Sequence, residues 1–458
     1  MLSSIKDKIQ NKKILILGFG KEGRSSLRFF RKYFPENEVA VADSNLDILL
    51  NVKDELREKA TFFTGSSYLK SIDNYDIIIK SPGISLALLE GKVFLDKITS
   101  QTDLFLSQFS DKVVGVTGTK GKSTTSSLIY HILLRKIKNV HLVGNIGIPP
   151  FDMIEDIKQD SIIVFEMSAH QLENVTISPH ISVLLNLFEE HLDHYNGLKE
   201  YHSAKLNIMR FQKESDMFVF NADDPVTGKN LQEEKVAGRH FPYSLKKVLE
   251  KGVFIRQAKV IFSDGESLSE FDFANRQGLP GKHNLHNIMA SIVVTKLLGV
   301  DDNIIQQSVT DFKGLPHRLE FIGEFKKIRF YNDSIATIPE ATIEAVKTLK
   351  EVDTLIVGGK DRGIDYDNLI EFITGSELRN VIFTGDAGKR IYDGINEKGG
   401  ANDTKLFFID KFDEISEIIR NNTLPGYICL LSPSASSYDK FRNFEERGEA
   451  FKKIAENL

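Results

Sequence analysis

Short apolar runs alternate with longer stretches of helical character along the whole chain. The runs at 13–17, 113–116 and 162–165 are rich in Ile, Leu, Val or Phe. Strands of this character are buried on both faces, as in parallel sheets that helices cover from both sides. The pattern therefore predicts an α/β fold in which crossover helices link mostly parallel strands.

The predicted elements fall into three blocks, which we expect to be domains at 1–110, 111–316 and 317–458. The predicted strands lie at 13–17, 39–42, 76–79, 113–116, 162–165, 181–185, 328–331, 354–357, 381–383 and 428–431. Helices are predicted over 22–33, from about residue 122, from about residue 284, and at the C-terminal end, where one helix carries Phe441, Phe444, Ala450 and Ile454. The segment around 250–275 has few helix signals and is expected to be rich in β-structure. The first block has the strand–glycine–helix order of a Rossmann-like unit.

Composition and charge exclude several classes of protein. The 458 residues are 41% hydrophobic, which is enough for folded cores. The 59 Lys and Arg residues face 64 Asp and Glu residues, with no long basic run, so nucleic-acid binding is not expected. The apolar stretches fall far short of the roughly 20 residues of a membrane helix, and the N-terminus lacks a signal peptide's apolar core. The single cysteine, Cys429, excludes an intrachain disulfide. These features predict a cytoplasmic enzyme without membrane insertion.

A glycine-rich loop joins the strand at 113–116 to the helix that begins near residue 122. It reads Gly115-Val-Thr-Gly-Thr-Lys-Gly-Lys-Ser-Thr124. In such loops backbone N–H groups turn towards phosphate oxygens, a lysine reaches the terminal phosphates and a serine hydroxyl binds Mg²⁺. Lys122 and Ser123 are the candidates for the last two roles. The strict phosphate-loop motif fails by one place, since residue 116 is Val, but the shorter form Gly-x-x-Gly-Lys-Ser-Thr is present.

A second glycine motif follows the first strand. Gly18-Phe-Gly-Lys-Glu-Gly23 fits Gly-x-Gly-x-x-Gly, and Asp43 lies 20 residues beyond Gly23. This spacing is typical of nicotinamide dinucleotide binding, yet the same geometry holds any diphosphate at a helix N-terminus. Nothing downstream resembles a hydride-transfer site. A nucleotide-diphosphate site is therefore the preferred interpretation, with the dinucleotide as the alternative.

Two polar segments follow apolar strands and supply candidate metal ligands. Glu166 ends the strand at 162–165, at the strand end where ligands bind, and can complete a Mg²⁺ shell with Ser123. A buried or helix-capping carboxylate is the alternative. Residues 189–194 read Glu-Glu-His-Leu-Asp-His. Their two histidines do not by themselves define a zinc site, so a second hard-metal site is preferred, with a solvated polar turn as the alternative.

Five further positions have no functional role when each is taken alone. Lys205 stands in a helical stretch, where a lone lysine is normally a surface residue. Asn284 and Asn287 share one helix face, yet Asn284 can equally be a helix cap. Arg318 and Asp333 each lie beside a predicted strand and would be interpreted as surface charges.

These segments occur together and in order, and in that order the sequence resembles the Mur ligases, ATP-dependent enzymes that form amide bonds in peptidoglycan synthesis. The resemblance runs nearly from end to end. It is carried by residues 117–124, 144–147 (Gly-Asn-Ile-Gly), 166–173 (Glu-Met-Ser-Ala-His-Gln-Leu-Glu), 186–193, 204–205 (Ala-Lys), 281–284, 315–318 (Leu-Pro-His-Arg), 332–334 (Asn-Asp-Ser) and 431–437 (Leu-Ser-Pro-Ser-Ala-Ser-Ser).

The resemblance implies a fold and a reaction. The fold would comprise a Rossmann-like N-terminal domain for the uridine nucleotide, a central P-loop ATPase-like domain, and a Rossmann-like C-terminal domain that closes over the site and brings the amino acid. ATP would phosphorylate a carboxylate, and an amine would attack the acyl phosphate to give an amide, ADP and phosphate. The family member resembled most adds D-glutamate to UDP-N-acetylmuramoyl-L-alanine, and we expect a monomer.

The resemblance also implies roles for individual residues. Contacts with ATP fall on Gly118, Thr119, Lys120, Gly121, Lys122, Ser123, Thr124, Asn284, Asn287, Arg318 and Asp333. Contacts with the uridine nucleotide or muramoyl group fall on Gly18, Gly20, Lys21, Gly23, Ser25, Asp43, Ser81, Gly83 and Asn145. Contacts with D-glutamate fall on Thr337, Ser437 and Phe444, and on Lys360 or Arg362. Two Mg²⁺ ions are implied, with Ser123 and Glu166 for the first, His191 for the second, and a carbamylated Lys205 able to bind metal. Lys122, His191 and Lys205 form the implied catalytic set.

Some positions depart from the family pattern, and they concern substrate recognition. Ile335 stands where the family often has a lysine, Asn45 where some members have arginine, and His170 where an aromatic residue is more usual. The alternatives are a sibling ligase that adds another amino acid, a folylpolyglutamate synthase-like ligase, and a nucleotide-binding regulator without catalysis. The Rossmann-like first block disfavours most siblings, and the intact ATPase residues argue against the regulator.

Overall fold

The chain folds into two compact units that carry three sheets. A computed structural model describes residues 2–51, 60–70, 72–85, 89, 95–188, 195, 197–234, 236–274, 276, 278–401 and 403–458. The first unit runs to Phe273 and includes Leu285–Ser308, and the second comprises Ala274–Asn284 and Val309–Leu458. The described strands form two sheets in the first unit and one in the second. This is the α/β fold with mostly parallel sheets that the sequence predicts.

The first sheet is Rossmann-like, with described strands that are all parallel and run in the order β3-β2-β1-β4-β5. Its strands are β1 (Ile14–Leu17), β2 (Val39–Asp43), β3 (Thr61–Thr64), β4 (Ile77–Lys80) and β5 (Ile98–Thr99). The helices of this region are α1 (Ser3–Ile9), α2 (Lys21–Tyr33) and α3 (Gln101–Phe109). Since β1 lies in the middle of the sheet, the glycine motif that follows it lies at the carboxyl edge.

The second sheet has the described order β14-β13-β12-β11-β10-β9-β6-β8-β7. Its strands are β6 (Val113–Thr117), β7 (Val140–Gly144), β8 (Ile162–Glu166), β9 (Ile181–Leu184), β10 (Met217–Asn221), β11 (Arg239–Ser244), β12 (Gly252–Arg256), β13 (Lys259–Ser263) and β14 (Leu268–Phe271). The helices of this region are α4 (Lys122–Leu133), α5 (Ala169–Leu172), α6 (Leu198–Arg210), α7 (Pro225–Glu233), α8 (His283–Leu297) and α9 (Asp302–Asp311). Within the described part of this sheet β13 pairs antiparallel with both β12 and β14, and these three strands form the β-rich segment expected around 250–275.

The third sheet has the described order β15-β16-β20-β17-β18-β19, with β15 antiparallel to β16 and the other pairs parallel. Its strands are β15 (Glu320–Phe325), β16 (Ile328–Asn332), β17 (Val352–Gly358), β18 (Asn380–Thr384), β19 (Lys405–Ile409) and β20 (Ile428–Leu431). Its helices are α10 (Pro339–Leu349), α11 (Asp367–Thr374), α12 (Gly385–Glu397), α13 (Ile415–Asn422) and α14 (Phe444–Glu456). The exact boundaries of the three predicted domains stay a prediction.

The last helix begins later than the sequence pattern indicates. Phe441 is outside α14, because Asn443 caps the helix with its side chain, which accepts a hydrogen bond from the Glu446 N–H at 2.9 Å. Phe441 instead packs edge-on against Phe412, with ring centroids 5.0 Å apart. The prediction that Phe441 belongs to the helix is wrong, since an apolar residue before the cap continues the helical spacing without being helical.

Buried polar side chains connect the first two sheets within the first unit. Lys80, at the end of β4, forms an ion pair with Glu173 at 2.8 Å and donates to the Ile84 carbonyl at 2.9 Å. Asp103 accepts from the Thr176 N–H at 2.7 Å and from Lys8 Nζ at 2.8 Å. Buried charges of this kind are tolerated only when they are paired, so the two sheets depend on each other's side chains. Within the described part of the chain, we find no helix with the length and apolar character of a membrane span.

Candidate active site

The loop between β6 and α4 forms a cradle of backbone groups. Gly118 and Gly121 have φ of +155° and +87°, which residues with a Cβ rarely adopt. A Cβ at Gly121 would lie 2.4 Å from Asn287 Oδ1, and one at Gly118 would lie 2.9 Å from Leu185 Cβ. Helix α4 begins at Lys122, so its first N–H groups and the positive end of its dipole face the loop. The arrangement suits an anion such as a phosphate.

Two lysine side chains converge on one carbonyl oxygen of this loop. Lys122 Nζ donates to the carbonyl oxygens of Gly118 and Thr119, both at 2.9 Å. Lys205 Nζ, from α6, also donates to the Gly118 carbonyl at 2.9 Å, and lies 4.9 Å from the centroid of the Tyr201 ring. Lys205 is 1% exposed. Its helix alone suggests a surface lysine, but the fold places it against the phosphate loop.

Glu166 ends β8 beside the same loop, because β6 and β8 are parallel neighbours in which Val116 is paired with Glu166. The side chain is fully buried. Oε1 accepts from Asn145 Nδ2 at 2.9 Å, whereas Oε2 has no hydrogen-bond partner among the described residues. A buried carboxylate oxygen without a partner is costly. Since carboxylate and hydroxyl oxygens are the ligands that Mg²⁺ prefers, Glu166 and Ser123 fit this ion chemically.

The remaining residues expected around ATP in the first unit lie near the start of α4. Ser123 and Thr124 occupy its first turn. Asn287, from α8, accepts from Thr125 Oγ1 at 3.2 Å. Thr119 Oγ1 accepts from the Phe188 N–H at 3.0 Å, and the Lys120 N–H donates to Asn186 Oδ1 at 2.8 Å. Side chains from distant parts of the chain thus hold the loop in place.

The predicted second-metal segment cannot be placed. Residues 189–194, with His191, lie outside the residues that the structure describes. In the described ranges, no three His, Cys, Asp or Glu side chains come together to hold a metal ion. A metal role for His191 therefore stays a prediction.

The first glycine motif lines a cavity of about 360 Å³ at the carboxyl edge of the first sheet. Its lining residues are Gly18, Phe19, Gly20, Lys21, Glu22, Asp43, Ser81, Pro82, Gly83 and Ile84. Ser81 Oγ donates to the Gly18 carbonyl at 2.8 Å, and Asp43 Oδ2 accepts from the Phe19 N–H at 2.7 Å. Asp43 therefore fixes the conformation of the loop. Six of the residues expected to contact the uridine nucleotide line this cavity.

Three other residues expected at the uridine site have different surroundings. Ser25 is buried and donates to Asp152 Oδ1 at 3.0 Å. Gly23 packs on the loop itself, where a Cβ would lie 2.1 Å from the Gly18 carbonyl oxygen. The side chain of Asn145 donates its hydrogen bond to Glu166 Oε1. Lys21 does line the cavity, but its Nζ donates to the Gly147 carbonyl at 2.8 Å. Gly23, Ser25 and Asn145 therefore do not line the cavity, whereas Lys21 lines it while its Nζ is bound to a carbonyl outside the lining.

In the second unit, Asp333 follows β16, Arg318 precedes β15, and His283 at the start of α8 is close enough to be affected by the charge of Arg318. Asp333 is buried and accepts from Ser432 Oγ at 2.8 Å and from the Leu319 N–H at 3.1 Å. Burial raises the pKa of Asp333 to about 6, although these hydrogen bonds and the charge of Arg318 act in the opposite direction. Burial, and then the charge of Arg318, lowers the pKa of His283. Arg318 is exposed, as expected for a surface charge, yet it acts electrostatically on both neighbours, whereas Asp333 is buried and is not a surface charge.

The residues expected around D-glutamate also belong to the second unit. Ser437 is buried, Thr337 and Phe444 are half-buried, and Lys360 and Arg362 are exposed. The Lys360 N–H donates to the Ser436 carbonyl at 2.9 Å, which brings the segment after β17 to the one after β20. Asn284, expected at the nucleotide, is buried and donates to the Pro280 carbonyl at 2.7 Å.

Among the charged residues that sequence reasoning missed are Glu22, which is half-buried, and Arg447, which is buried. Burial raises the pKa of Glu22, although a 2.6 Å hydrogen bond from Gln171 Nε2 and the charge of Lys80 lower it. Arg447 is 2% exposed. Glu22 could have been found from its place inside the first glycine motif. The only hint of Arg447 in the sequence is that it lies one helical turn after Phe444, which is expected to contact the amino acid.

We expect a pH-dependent stability from Asp333. The pKa of its carboxyl is raised from 3.8 to about 6 by folding, so the folded state holds this proton more tightly than the unfolded state. The stabilisation is fully present below about pH 4 and is lost as pH rises through 6. Between pH 4 and 7, Asp333→Asn should therefore gain up to roughly 3 kcal/mol in free energy of unfolding relative to the wild type.

Urea unfolding at a series of pH values would measure this difference. Asp386→Asn, at an exposed position, is the control and should show no such trend. A constant difference between wild type and Asp333→Asn across this range would contradict the raised pKa.

Family models match most of the chain. Residues 12–97 match the MurD-like N-terminal domain of Mur ligases, residues 116–295 the Mur ligase middle domain, and residues 317–435 the Mur ligase glutamate ligase domain. Among solved structures, the MurF ligase of Thermotoga maritima in complex with ADP has a TM-score of 0.54 at 21% identity and covers 100% of this chain and 97% of its own. At 21% identity this similarity is evidence for the fold alone, and it extends over all three sheets.

Curated relatives are similar over the full length. The UDP-N-acetylmuramoylalanine–D-glutamate ligase of Acetivibrio thermocellus is 32% identical, with 100% of this chain and 99% of the relative covered. The enzyme of the same name from Ruminiclostridium cellulolyticum is 30% identical with the same coverage. Together with a phosphate loop, a buried carboxylate beside it and a buried lysine on its carbonyl, these matches show that the chain belongs to the Mur ligase family.

Proposed function

We propose that the protein is an ATP-dependent ligase that adds D-glutamate to UDP-N-acetylmuramoyl-L-alanine in peptidoglycan synthesis. The observation that carries the proposal is the full-length similarity to curated ligases of that name. The geometry agrees with it, because one sheet edge combines a phosphate cradle, Lys122, Glu166 and Lys205. No observation favours the folylpolyglutamate synthase-like alternative.

The chemistry explains why such a reaction needs these side chains. A carboxylate is a poor electrophile, because attack on its carbonyl carbon would have to expel an oxide ion, which is a poor leaving group. Transfer of the γ-phosphoryl group of ATP to a carboxylate oxygen gives an acyl phosphate and ADP. The amine of D-glutamate then attacks the carbonyl carbon, the C–O bond to phosphate breaks, and the amine loses a proton. All reactants are anionic, so Lys122 has to hold phosphate charge while the groups approach one another.

The first Mg²⁺ would be held by Ser123 and Glu166. Glu166 Oε2, which has no hydrogen-bond partner in the described part of the chain, supports this assignment, and Asn145 orients the carboxylate by donating to Oε1. When bound, the ion neutralises phosphate charge and polarises the phosphoryl group. His191 is proposed for a second Mg²⁺ by similarity to the family alone.

We infer that Lys205 is carbamylated in the working enzyme. A neutral Lys205 Nζ would attack CO₂, forming an N–C bond and releasing a proton, and the product is an anion. The support is the position of Lys205, which is buried against the Gly118 carbonyl. An anion at this position can bind a cation beside the phosphates.

Substrate positions follow from the cavity and the loops. The uridine nucleotide would occupy the 360 Å³ cavity, with its diphosphate at the start of α2. Asn284, Asn287, Arg318 and Asp333 would contact the ATP nucleotide, and Thr337, Ser437, Phe444 and Lys360 or Arg362 the amino acid. We further propose a monomer with the predicted domain boundaries at 110 and 316, working in the cytoplasm, where ATP is supplied.

The function itself can be tested by phosphate release. With ATP, Mg²⁺ and UDP-N-acetylmuramoyl-L-alanine, D-glutamate should stimulate release, whereas L-glutamate, L-alanine and L-lysine should not. The nucleotide product should gain the mass of one glutamate residue. Release with a different amino acid would indicate a sibling ligase, and ATP binding without any release would indicate a regulator.

Removing the charge of Glu166 should weaken metal binding. Glu166→Gln keeps an oxygen for Asn145 but presents a neutral group to the cation, so we expect the Mg²⁺ concentration for half-maximal activity to rise at least about tenfold. Glu266→Gln, at an exposed loop position, is the control. An unchanged Mg²⁺ dependence would remove Glu166 from the metal site.

Removing the carbamate should be partly reversible. Lys205→Ala should lose at least about a hundredfold in kcat, because it loses a metal-binding anion and not only a cation. Formate or acetate at high concentration should restore part of the activity by supplying a carboxylate in the space left behind. Lys205→Ala with a normal Mg²⁺ dependence and no response to either acid would argue against the carbamate.

A further inference from the structure

The cavity expected to bind the uridine nucleotide carries more negative than positive charge in its lining. Its titratable residues are Lys21, Glu22 and Asp43. The ammonium group of Lys21 is bound to the Gly147 carbonyl, which is outside the lining. A nucleotide diphosphate is itself an anion, so the two carboxylates would repel it unless both are held away from the space that the ligand occupies.

Both carboxylates are held by hydrogen bonds from the protein. Asp43 accepts from the N–H groups of Phe19 and Asn45, at 2.7 and 2.8 Å. Glu22 Oε1 accepts from Gln171 Nε2 at 2.6 Å, and Glu22 Oε2 is buried without a hydrogen-bond partner among the described residues. Since a buried oxygen does not border open space, the carboxylate of Glu22 faces away from the cavity, although the residue lines it.

The orientation of the Gln171 side chain is fixed by the short helix to which it belongs. Gln171 Oε1 accepts from the Ser168 N–H at 2.9 Å, and the Gln171 N–H donates to Ser168 Oγ at 3.2 Å, which together form a capping box at the start of α5. Because Oε1 is engaged in this way, the amide presents Nε2 to Glu22. Gln171 is 3% exposed and lies outside the cavity lining.

The Gln171 amide is the main group that stabilises the charge of Glu22 in this position. Burial raises the pKa of Glu22, and the hydrogen bond from Gln171 opposes burial more strongly than the charge of Lys80 does. A buried carboxylate that loses such a bond gains free energy by turning towards water. Because Glu22 lines the cavity, loss of the amide would bring its charge into the space meant for the diphosphate.

We propose that Gln171 is a positioning residue for the uridine nucleotide, because its amide holds the Glu22 carboxylate out of the cavity and so allows an anionic diphosphate to bind. The proposal rests on the proposed function, in which this cavity binds a uridine nucleotide. Gln171 acts only through Glu22, since it does not line the cavity. It belongs to the segment that begins with Glu166, so the segment that carries the candidate metal ligand also controls the charge of the uridine cavity.

The test compares a charged and a neutral ligand of the same cavity. The Kd values for UDP and for uridine are measured by isothermal titration calorimetry on the full chain at low salt. In Gln171→Leu we expect the ratio of the Kd for UDP to the Kd for uridine to rise roughly tenfold, because a released carboxylate repels the diphosphate and not the nucleoside. This increase should shrink at about 0.5 M NaCl, since salt screens the repulsion.

A double-mutant cycle shows whether Gln171 acts through Glu22. With Glu22→Gln in the background there is no charge to release, so adding Gln171→Leu should change the ratio by less than about twofold. If Gln171→Leu fails to fold, Glu22→Asp decides the question, because it keeps the charge on a side chain one methylene too short for the 2.6 Å hydrogen bond. Its ratio should exceed that of Glu22→Gln by roughly tenfold.

Gln232→Leu is the matched control. Gln232 is exposed on α7, in the same unit but outside the cavity lining. The same chemical change at this position should leave the Kd values for UDP and uridine, and their dependence on salt, as they are in the wild type.

Three results would overturn the proposal. Equal losses of affinity for UDP and uridine in Gln171→Leu would mean that Gln171 only supports the fold. The same loss for UDP with and without Glu22→Gln would mean that Gln171 does not act through Glu22. If the wild type itself failed to bind UDP, the uridine site of the proposed function would be wrong and the proposal would fail with it, whereas the first two results leave that site intact.

Discussion

The path of the backbone from Gly118 to Gly121 is the constraint on which the catalytic geometry depends. Side chains at these two positions would collide with Leu185 and Asn287, so the loop can close against α8 and β9 only without them. The closed loop presents the Gly118 carbonyl to Lys122 and Lys205 at once. One stretch of glycine backbone therefore brings together side chains that are more than 80 residues apart.

The parallel register of the second sheet brings a carboxylate beside the phosphate loop that the two lysines contact. Because Val116 is paired with Glu166, the carboxylate comes to the edge where the phosphate loop begins. Asn145, from the segment after β7, donates to one of its oxygens, and the other has no hydrogen-bond partner among the described residues. A buried carboxylate oxygen of this kind is costly, and such groups are typical of binding sites. The same segment reaches the uridine cavity through Lys21 and Gly147.

The second unit is organised by buried polar groups that are incompletely paired. Asp333 is held by Ser432 and the Leu319 N–H, yet burial still favours its neutral form. Arg447 binds Ser334, the residue after Asp333, and also the segment that carries Ser436. A fold of this size could replace such groups by apolar ones at little cost in stability. Stability alone therefore does not explain their presence.

The sequence by itself determined the fold class, the strands at 113–116 and 428–431, and both glycine motifs, because hydrophobic periodicity and turn chemistry depend on near neighbours. It also made Lys122 a candidate for binding phosphate and Glu166 a candidate metal ligand, since each lies at or after the end of a recognisable strand. Only the tertiary structure decided that Lys205 is buried and that, among the described residues, one oxygen of Glu166 has no hydrogen-bond partner and Arg447 has no counter-ion. Those properties depend on residues such as Gly118, Asn145 and Ser334, which are distant along the chain and meet these side chains only after folding.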